Sequence, residues 1–252
     1  MRFAAGLHTS RRHHVLKTKR LGSLIAFVWL AAILLILVLL LRTSQLDYRQ
    51  FLDGFAASLA RTSVAYVVAL IVGLILALSV TAQPIIETIF LPILDVLQSF
   101  PSFALFPVLI AGLAGHSETI ILAVLALEMI WPILFSIVGA VKNRRQELEE
   151  AATIFGAVGT KRLWHFALPE LWPAILTGSI VGWGEGWEFI IGAELLVRVH
   201  VGIGHYLGVL GENNQRNLLA FGIVGLMLLL FMINKLFWLP LLRQATAYQN
   251  DN

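Results

Sequence analysis

The sequence predicts an all-α integral membrane protein with six transmembrane helices. Three observations carry that expectation. The chain of 252 residues is 58% hydrophobic and only 13% charged, its mean hydropathy is +0.83, and its apolar residues gather into runs about one bilayer thickness long. A soluble domain carries about 25% charged residues, so a water-soluble globule is excluded. At about 20 residues per span the length leaves room for about five to seven helices and no large domain outside the bilayer. The absence of cysteine removes disulfides, thiolate zinc sites and thiol chemistry. A formal net charge of +3 is too small for a nucleic-acid surface, and no nucleic-acid partner is expected.

Taken in order, residues 21–41 form the first span, a run of 21 residues without a charge and about 31 Å long as a helix. A basic tail, 1–20, precedes it. That apolar run exceeds the length of a signal-peptide core, and Arg42-Thr43-Ser44 offers no small-x-small cleavage site, so an uncleaved, peripheral first helix is expected. The remaining spans are 55–80, 85–113, 119–141, 173–196 and 218–241. In the third, Pro101 and Pro107 remove backbone donors and bend the path. Six spans place both termini on one side. If that side is cytoplasmic, thirteen Lys and Arg lie inside, including Lys142, Arg144, Arg145, Lys161 and Arg162, against five outside, Arg42, Arg49, Arg61, Arg198 and Arg216. This positive-inside bias places both termini in the cytoplasm, in a multi-pass cell-membrane protein.

The largest internal connection is then 142–172. It opens with Gln146-Glu147-Leu148-Glu149-Glu150-Ala151-Ala152-Thr153-Ile154-Phe155-Gly156, where Leu148, Ala151, Ala152 and Phe155 share one helical face. A short amphipathic helix is expected, ended by Gly156, with Leu168-Pro169 turning the chain back towards the membrane. A helix with no core of its own needs a membrane surface or a protein groove. Its acidic face disfavours anionic headgroups, which leaves the groove; a solvated loop helix is the plainer alternative.

The pattern Glu-Ala-Ala, three residues, Gly, nine residues, an apolar residue, one residue, Leu-Pro resembles the EAA loop of permease subunits of ATP-binding-cassette importers (the MetI-like, binding-protein-dependent superfamily). It is matched by Glu150, Ala151, Ala152, Gly156, Phe166, Leu168 and Pro169, with Phe166 where an aliphatic residue is more usual. Leu97-Gln98-Ser99-Phe100-Pro101 through Leu105-Phe106-Pro107 looks like the third-span segment of the nitrate, sulfonate, taurine and bicarbonate branch. So do Ser58-Leu59-Ala60-Arg61, Ala193-Glu194 and Val201-Gly202-Ile203-Gly204 at the corresponding places. The resemblance covers a core of five spans, 55–243, and implies a type I importer permease fold. The partners it implies are a cytosolic ATPase dimer, a second permease subunit (identical or paralogous) and an extracytoplasmic binding protein. The small solutes of the branch are the expected substrates. No cofactor is expected on this chain and no enzymatic activity; ATP and Mg are used by the partner ATPase, and the EAA residues present the docking helix.

Between Thr62 and Val141 there is no Lys or Arg, yet Asp95 and Glu128 fall about ten residues into their spans, and Glu185 and Glu188 fall comparably deep in the fifth. Intramembrane carboxylates face a cavity or each other; nearby basic partners are few, and Arg61 is one candidate. Three accounts stand open: neutral, hydrogen-bonded acids; acids lining a water-filled path; or acids that, with Trp183 or Trp187, contact a cationic or aromatic substrate such as a vitamin precursor. A polytopic enzyme using these carboxylates is the alternative from another class, but it lacks a histidine on a facing helix. Gly178, Gly182 and Gly186 recur every four residues, a spacing for close helix approach. Neither Gly182-x-Gly184-x-Gly186 nor 156–161 has the spacing of a nucleotide loop. His8, His13 and His14 read as a solvated tail rather than metal ligands.

Overall fold

A computed structural model describes residues 47–143 and 168–250, with side chains up to Ala245. The first expected span, and Glu150, Ala151, Ala152 and Gly156 of the expected coupling loop, lie outside the described residues. What is described is helical throughout: α1 (Tyr48–Val80), α2 (Pro84–Gln98), a 3-10 turn (Ser102–Leu105), α3 (Phe106–Gly112), α4 (Ser117–Lys142), α5 (Leu168–Val197), α6 (Ile203–Glu212), α7 (Arg216–Ile233), a π-helical stretch (Asn234–Trp238) and α8 (Leu239–Asn250).

The core sits between α1, α4 and α5. The inner face of α1 is a stripe of small residues, Gly54, Ser58, Thr62, Ala65, Ala69, Gly73 and Ala77, one per helical turn, which lets the backbones of neighbouring helices come close. A Cβ added at Gly73 would lie 3.1 Å from Ile133 Cγ2. The outer face carries Leu52, Val64, Val67, Val68, Ile71 and Ile75, all exposed. Large apolar residues outside and small ones inside invert the soluble-protein pattern, because lipid tails solvate the exterior. Central α4 buries Ile121, Leu125, Met129, Ile133, Leu134 and Ile137 completely. Against it, α5 sets the expected glycine seam: a Cβ at Gly178 would be 2.8 Å from both Ile133 Cα and Pro132 O, and one at Gly182 would be 3.0 Å from Met129 O. The seam is a backbone-to-backbone contact.

The expected third span, 85–113, is two short helical pieces rather than one rod. Pro84–Gln98 and Ser102–Gly112 meet at 79°. The bend falls at Ser99-Phe100-Pro101, where Pro101 removes a donor and disfavours helical backbone just before it. Pro107 instead sits in the first turn of α3, where a missing N–H costs nothing. Phe103, in the turn, stacks on Phe189 of α5 at 4.1 Å. Among the described residues three helices are long and apolar enough to cross a membrane, and four if the bent pair counts as one span. Helix α5 is not among them despite its 30 residues, since Glu170, Glu185, Glu188 and Glu194 dilute its apolar character; its buried face packs into the core.

Candidate functional site

At the end of the bundle where α1 begins and α5 finishes, three separated segments meet at one carboxylate. Glu194, in the last turn of α5, is fully buried. Its Oε1 accepts from Ser58 Oγ at 2.7 Å and from Arg61 Nη1 at 2.7 Å; its Oε2 accepts from the backbone N–H of Gly204 at 2.8 Å. Ser58 Oγ in turn accepts from the backbone N–H of Ile203 at 2.8 Å. Residues 203 and 204 open α6, whose own N-cap, Gly202, supplies no side chain. The free N–H groups of a helix start carry partial positive charge, so Glu194 and Ser58 cap α6 from two other helices. Close approach requires glycine here: a Cβ on Gly54 would lie 2.9 Å from Gly202 O, and one on Gly202 would overlap the Glu194 carboxylate.

Arg61 completes this clamp and extends it to α4. Its Nε and Nη2 donate to Glu118 Oε2 and Oε1 at 2.7 and 2.6 Å, a two-pronged grip, while Nη1 also donates to Val201 O at 2.7 Å. The planar guanidinium suits this arrangement, since a lysine ammonium cannot hold two carboxylates in fixed directions. The two arms differ in surroundings: the Arg61 side chain is 12% exposed, Glu194 0% and Glu118 60%. At the opposite end, Lys142 Nζ pairs with Glu87 Oε1 at 2.8 Å, closing α2 on α4 where segment 143–167 begins.

The residues expected at mid-membrane depth separate into two groups. Glu128 is half-buried and accepts from Ser102 Oγ. Glu185, on the next described helix, lies close enough to Glu128 and Glu188 for their charges to interact, so these three acids come together. Asp95 does not join them; it sits one turn before the bend and accepts from Gln98 Nε2 at 2.6 Å. Trp183 and Trp187 point into an aromatic cluster instead. Trp187 is buried and stacks on Phe55 at 5.3 Å, and Trp183 meets Tyr66 and Trp238 edge-on or tilted at 5.7 and 5.8 Å. Trp183 also borders an apolar hollow of about 500 Å³ between α1 and α7. Of the expected coupling residues, Leu168 and Pro169 are the two described, and they form the first turn of α5.

Arg61 is thus a partner of acids, but of Glu118 and Glu194 rather than of Asp95, Glu128, Glu185 or Glu188. Ser58, Glu118, Glu194 and the 202–204 backbone were not expected to form one site. A signal for Glu194 exists: it continues the buried face made by Gly186, Trp187, Ile190 and Ala193, and a carboxylate on a core face demands a partner.

Three of the segments that build the clamp, 58–61, 193–194 and 201–204, resemble those of a transport family, and comparison with known proteins finds the same family. Residues 69–239 match the model of the binding-protein-dependent transport system inner membrane component family. The chain is 29% identical, over 71% of its length, to the taurine transport system permease protein of Escherichia coli, covering 64% of that protein. It is 30% identical, over 69% of its length, to a nitrate import permease protein of Leptolyngbya laminosa, covering 63% of it. A formylaminopyrimidine transport permease protein of Halalkalibacterium halodurans is 24% identical over 79% of this chain and 76% of its own length. The chain therefore spans somewhat under two thirds of the taurine and nitrate relatives it matches. These relatives are transport permeases, not enzymes. With two thirds of its residues inside the matched region, the chain belongs to the family of inner-membrane components of binding-protein-dependent transport systems.

Proposed function

We propose that this chain is the permease subunit of an ATP-driven importer of small solutes, working with a cytosolic ATPase dimer, a second permease subunit and an extracytoplasmic binding protein. The observation that carries the reading is the family match over 69–239, which encloses the EAA pattern of Glu150, Ala151, Ala152, Gly156, Leu168 and Pro169. The bundle supports it: α4 and α5 pack tightly along the glycine seam and bracket the segment that carries the pattern, so a push on that segment reaches both helices. In this reading the chain has six spans, 21–41 among them, with both termini cytoplasmic as its basic residues indicate. The clamp then faces outward and the Glu87–Lys142 pair inward. ATP and Mg belong to the partner ATPase, and this chain contributes the path and the docking surface.

The path itself we assign to the face where Glu128, Glu185 and Glu188 meet; of the other residues expected along it, Asp95 sits apart beside Gln98, and Trp183 and Trp187 turn to the aromatic cluster. Permease relatives for taurine, nitrate and bicarbonate make a small solute of that kind the first substrate reading. The three neighbouring acids, without a basic residue from Thr62 to Val141, favour a second: a cationic or aromatic solute, in keeping with the formylaminopyrimidine relative. Uptake assays with each solute separate the two. The docking surface is tested by capture of the ATPase on the immobilised permease. Glu150→Lys is expected to weaken capture about tenfold or more, the loss of one interface hot spot. Equal capture by wild type and variant would remove the EAA loop from the interface.

A further inference from the structure

Helices α4 and α5 are consecutive in the chain. At one end segment 143–167 joins them covalently. At the other end their polar tie runs through a third helix: Glu118 of α4 and Glu194 of α5 are both held by Arg61 of α1, through 2.6 to 2.7 Å contacts. Between the two ends, the seam at Gly178 and Gly182 sets backbone against backbone, the Met129 side chain seats against Gly186, and Ser136 Oγ of α4 donates to Ala174 O of α5 at 2.7 Å. Packed helices of this kind move by shear. A pair joined covalently at one end, closely packed in the middle and pinned by an ion pair at the other delivers its motion according to how firmly that pin holds.

We propose that Arg61 and Glu118 form the pivot that passes movement of segment 143–167 to the far end of the bundle, which makes both of them positioning residues for transport. This rests on the reading of the chain as an ATP-driven permease. The two arms of the pivot have different strengths. Glu194, buried and held by three donors, fixes Arg61 to α5, to α6 and to the 201–204 turn. Glu118, exposed and reached by solvent ions, forms the yielding arm, because an exposed pair is screened where a buried one is not. Shear between α4 and α5 is therefore accommodated at Glu118, while α1, α5 and α6 move together.

The test uses the permease reconstituted with its ATPase and binding protein, comparing wild type, Glu118→Gln and Glu118→Asp. Taurine, nitrate, bicarbonate and formylaminopyrimidine serve as uptake probes. Glu118→Gln is expected to assemble at wild-type yield and hydrolyse ATP at no less than the wild-type rate, while uptake per ATP falls about fivefold or more, the scale of one lost coupling interaction. Glu118→Asp, which keeps the charge, is expected to recover at least half of that loss. Unchanged uptake per ATP in Glu118→Gln would overturn the pivot, as would a parallel fall in uptake and hydrolysis. Failure of that variant to assemble would make the pair a structural strut and overturn it equally. Absence of ATP-driven uptake in wild type would instead overturn the proposed function, and the pivot with it.

Discussion

Arg61→Ala is expected to destabilise the folded bundle by about 3 to 5 kcal/mol, because it strands a buried carboxylate. Glu194 has no exposed surface, and the Ser58 hydroxyl and Gly204 N–H left to it carry no full charge. The same change removes the donor to Val201 O, loosening the turn that leads into α6. A loss of this size lowers the Tm of a domain this large by about 10 °C, readable by scanning fluorimetry on the tryptophans of the detergent-purified protein. Glu118→Gln is expected to cost less than about 1 kcal/mol, as an exposed ion pair does, since the Glu118 side chain is 60% exposed. Pairing Arg61→Met with Glu194→Gln should restore more than half of the Arg61→Ala loss, because the cost lies in the uncompensated charge rather than in the missing contact. If Arg61→Ala and Glu118→Gln shift Tm alike, the buried arm is not the stronger one.

Gly178→Val gives the second large effect. A Cβ at this position meets Ile133 Cα and Pro132 O at 2.8 Å, and both belong to the α4 backbone, which cannot step aside like a side chain. Forcing extra atoms into such a seam costs about 2 to 3 kcal/mol. Gly186 is a useful contrast, since its Cβ would meet the flexible end of the Met129 side chain. Gly184, with nothing within 4 Å, should gain about 0.5 to 1 kcal/mol on replacement by alanine, from the lower entropy cost of ordering its backbone. Thermal unfolding of Gly178→Val, Gly186→Ala and Gly184→Ala should therefore rank in that order, from most to least damaging. A reversed or flat ranking would mean that α4 and α5 do not meet along this face.

Much of this architecture was legible in the sequence because its causes are local. Apolar run length marks α1, α4 and α7, the four-residue glycine spacing marks the α4–α5 seam, and Pro101 marks the bend. The angle at Pro101 was not legible, since it depends on what Ser102 and Phe103 find across the bundle, namely Glu128 and Phe189. The clamp was present only in pieces. Ser58, Arg61, Glu194 and Val201-Gly202-Ile203-Gly204 each stood in a recognisable segment, yet Arg61 and Glu194 are 133 residues apart and nothing local pairs them. Pairing Arg61 with Asp95, Glu128, Glu185 or Glu188, the acids at mid-membrane depth, was one candidate reading of the sequence. It failed because Arg61 lies only about four turns into α1, level with the ends of the neighbouring helices and not with their middles. Trp183 and Trp187 were grouped with the acids by proximity along the chain, whereas the helical turn sends them to the face packed on Phe55, Tyr66 and Trp238.

The most direct measurement of the central claim is solute uptake into vesicles containing this chain with its ATPase and a second permease subunit, with binding protein added outside and ATP inside. Uptake is expected to require both ATP and the binding protein. It is expected to disappear in Gly156→Pro, whose altered loop no longer passes ATPase movement to α5, while ATP hydrolysis by the partner continues. Uptake that proceeds without ATP, or that Gly156→Pro leaves undiminished, would contradict an ATP-driven permease coupled through this loop.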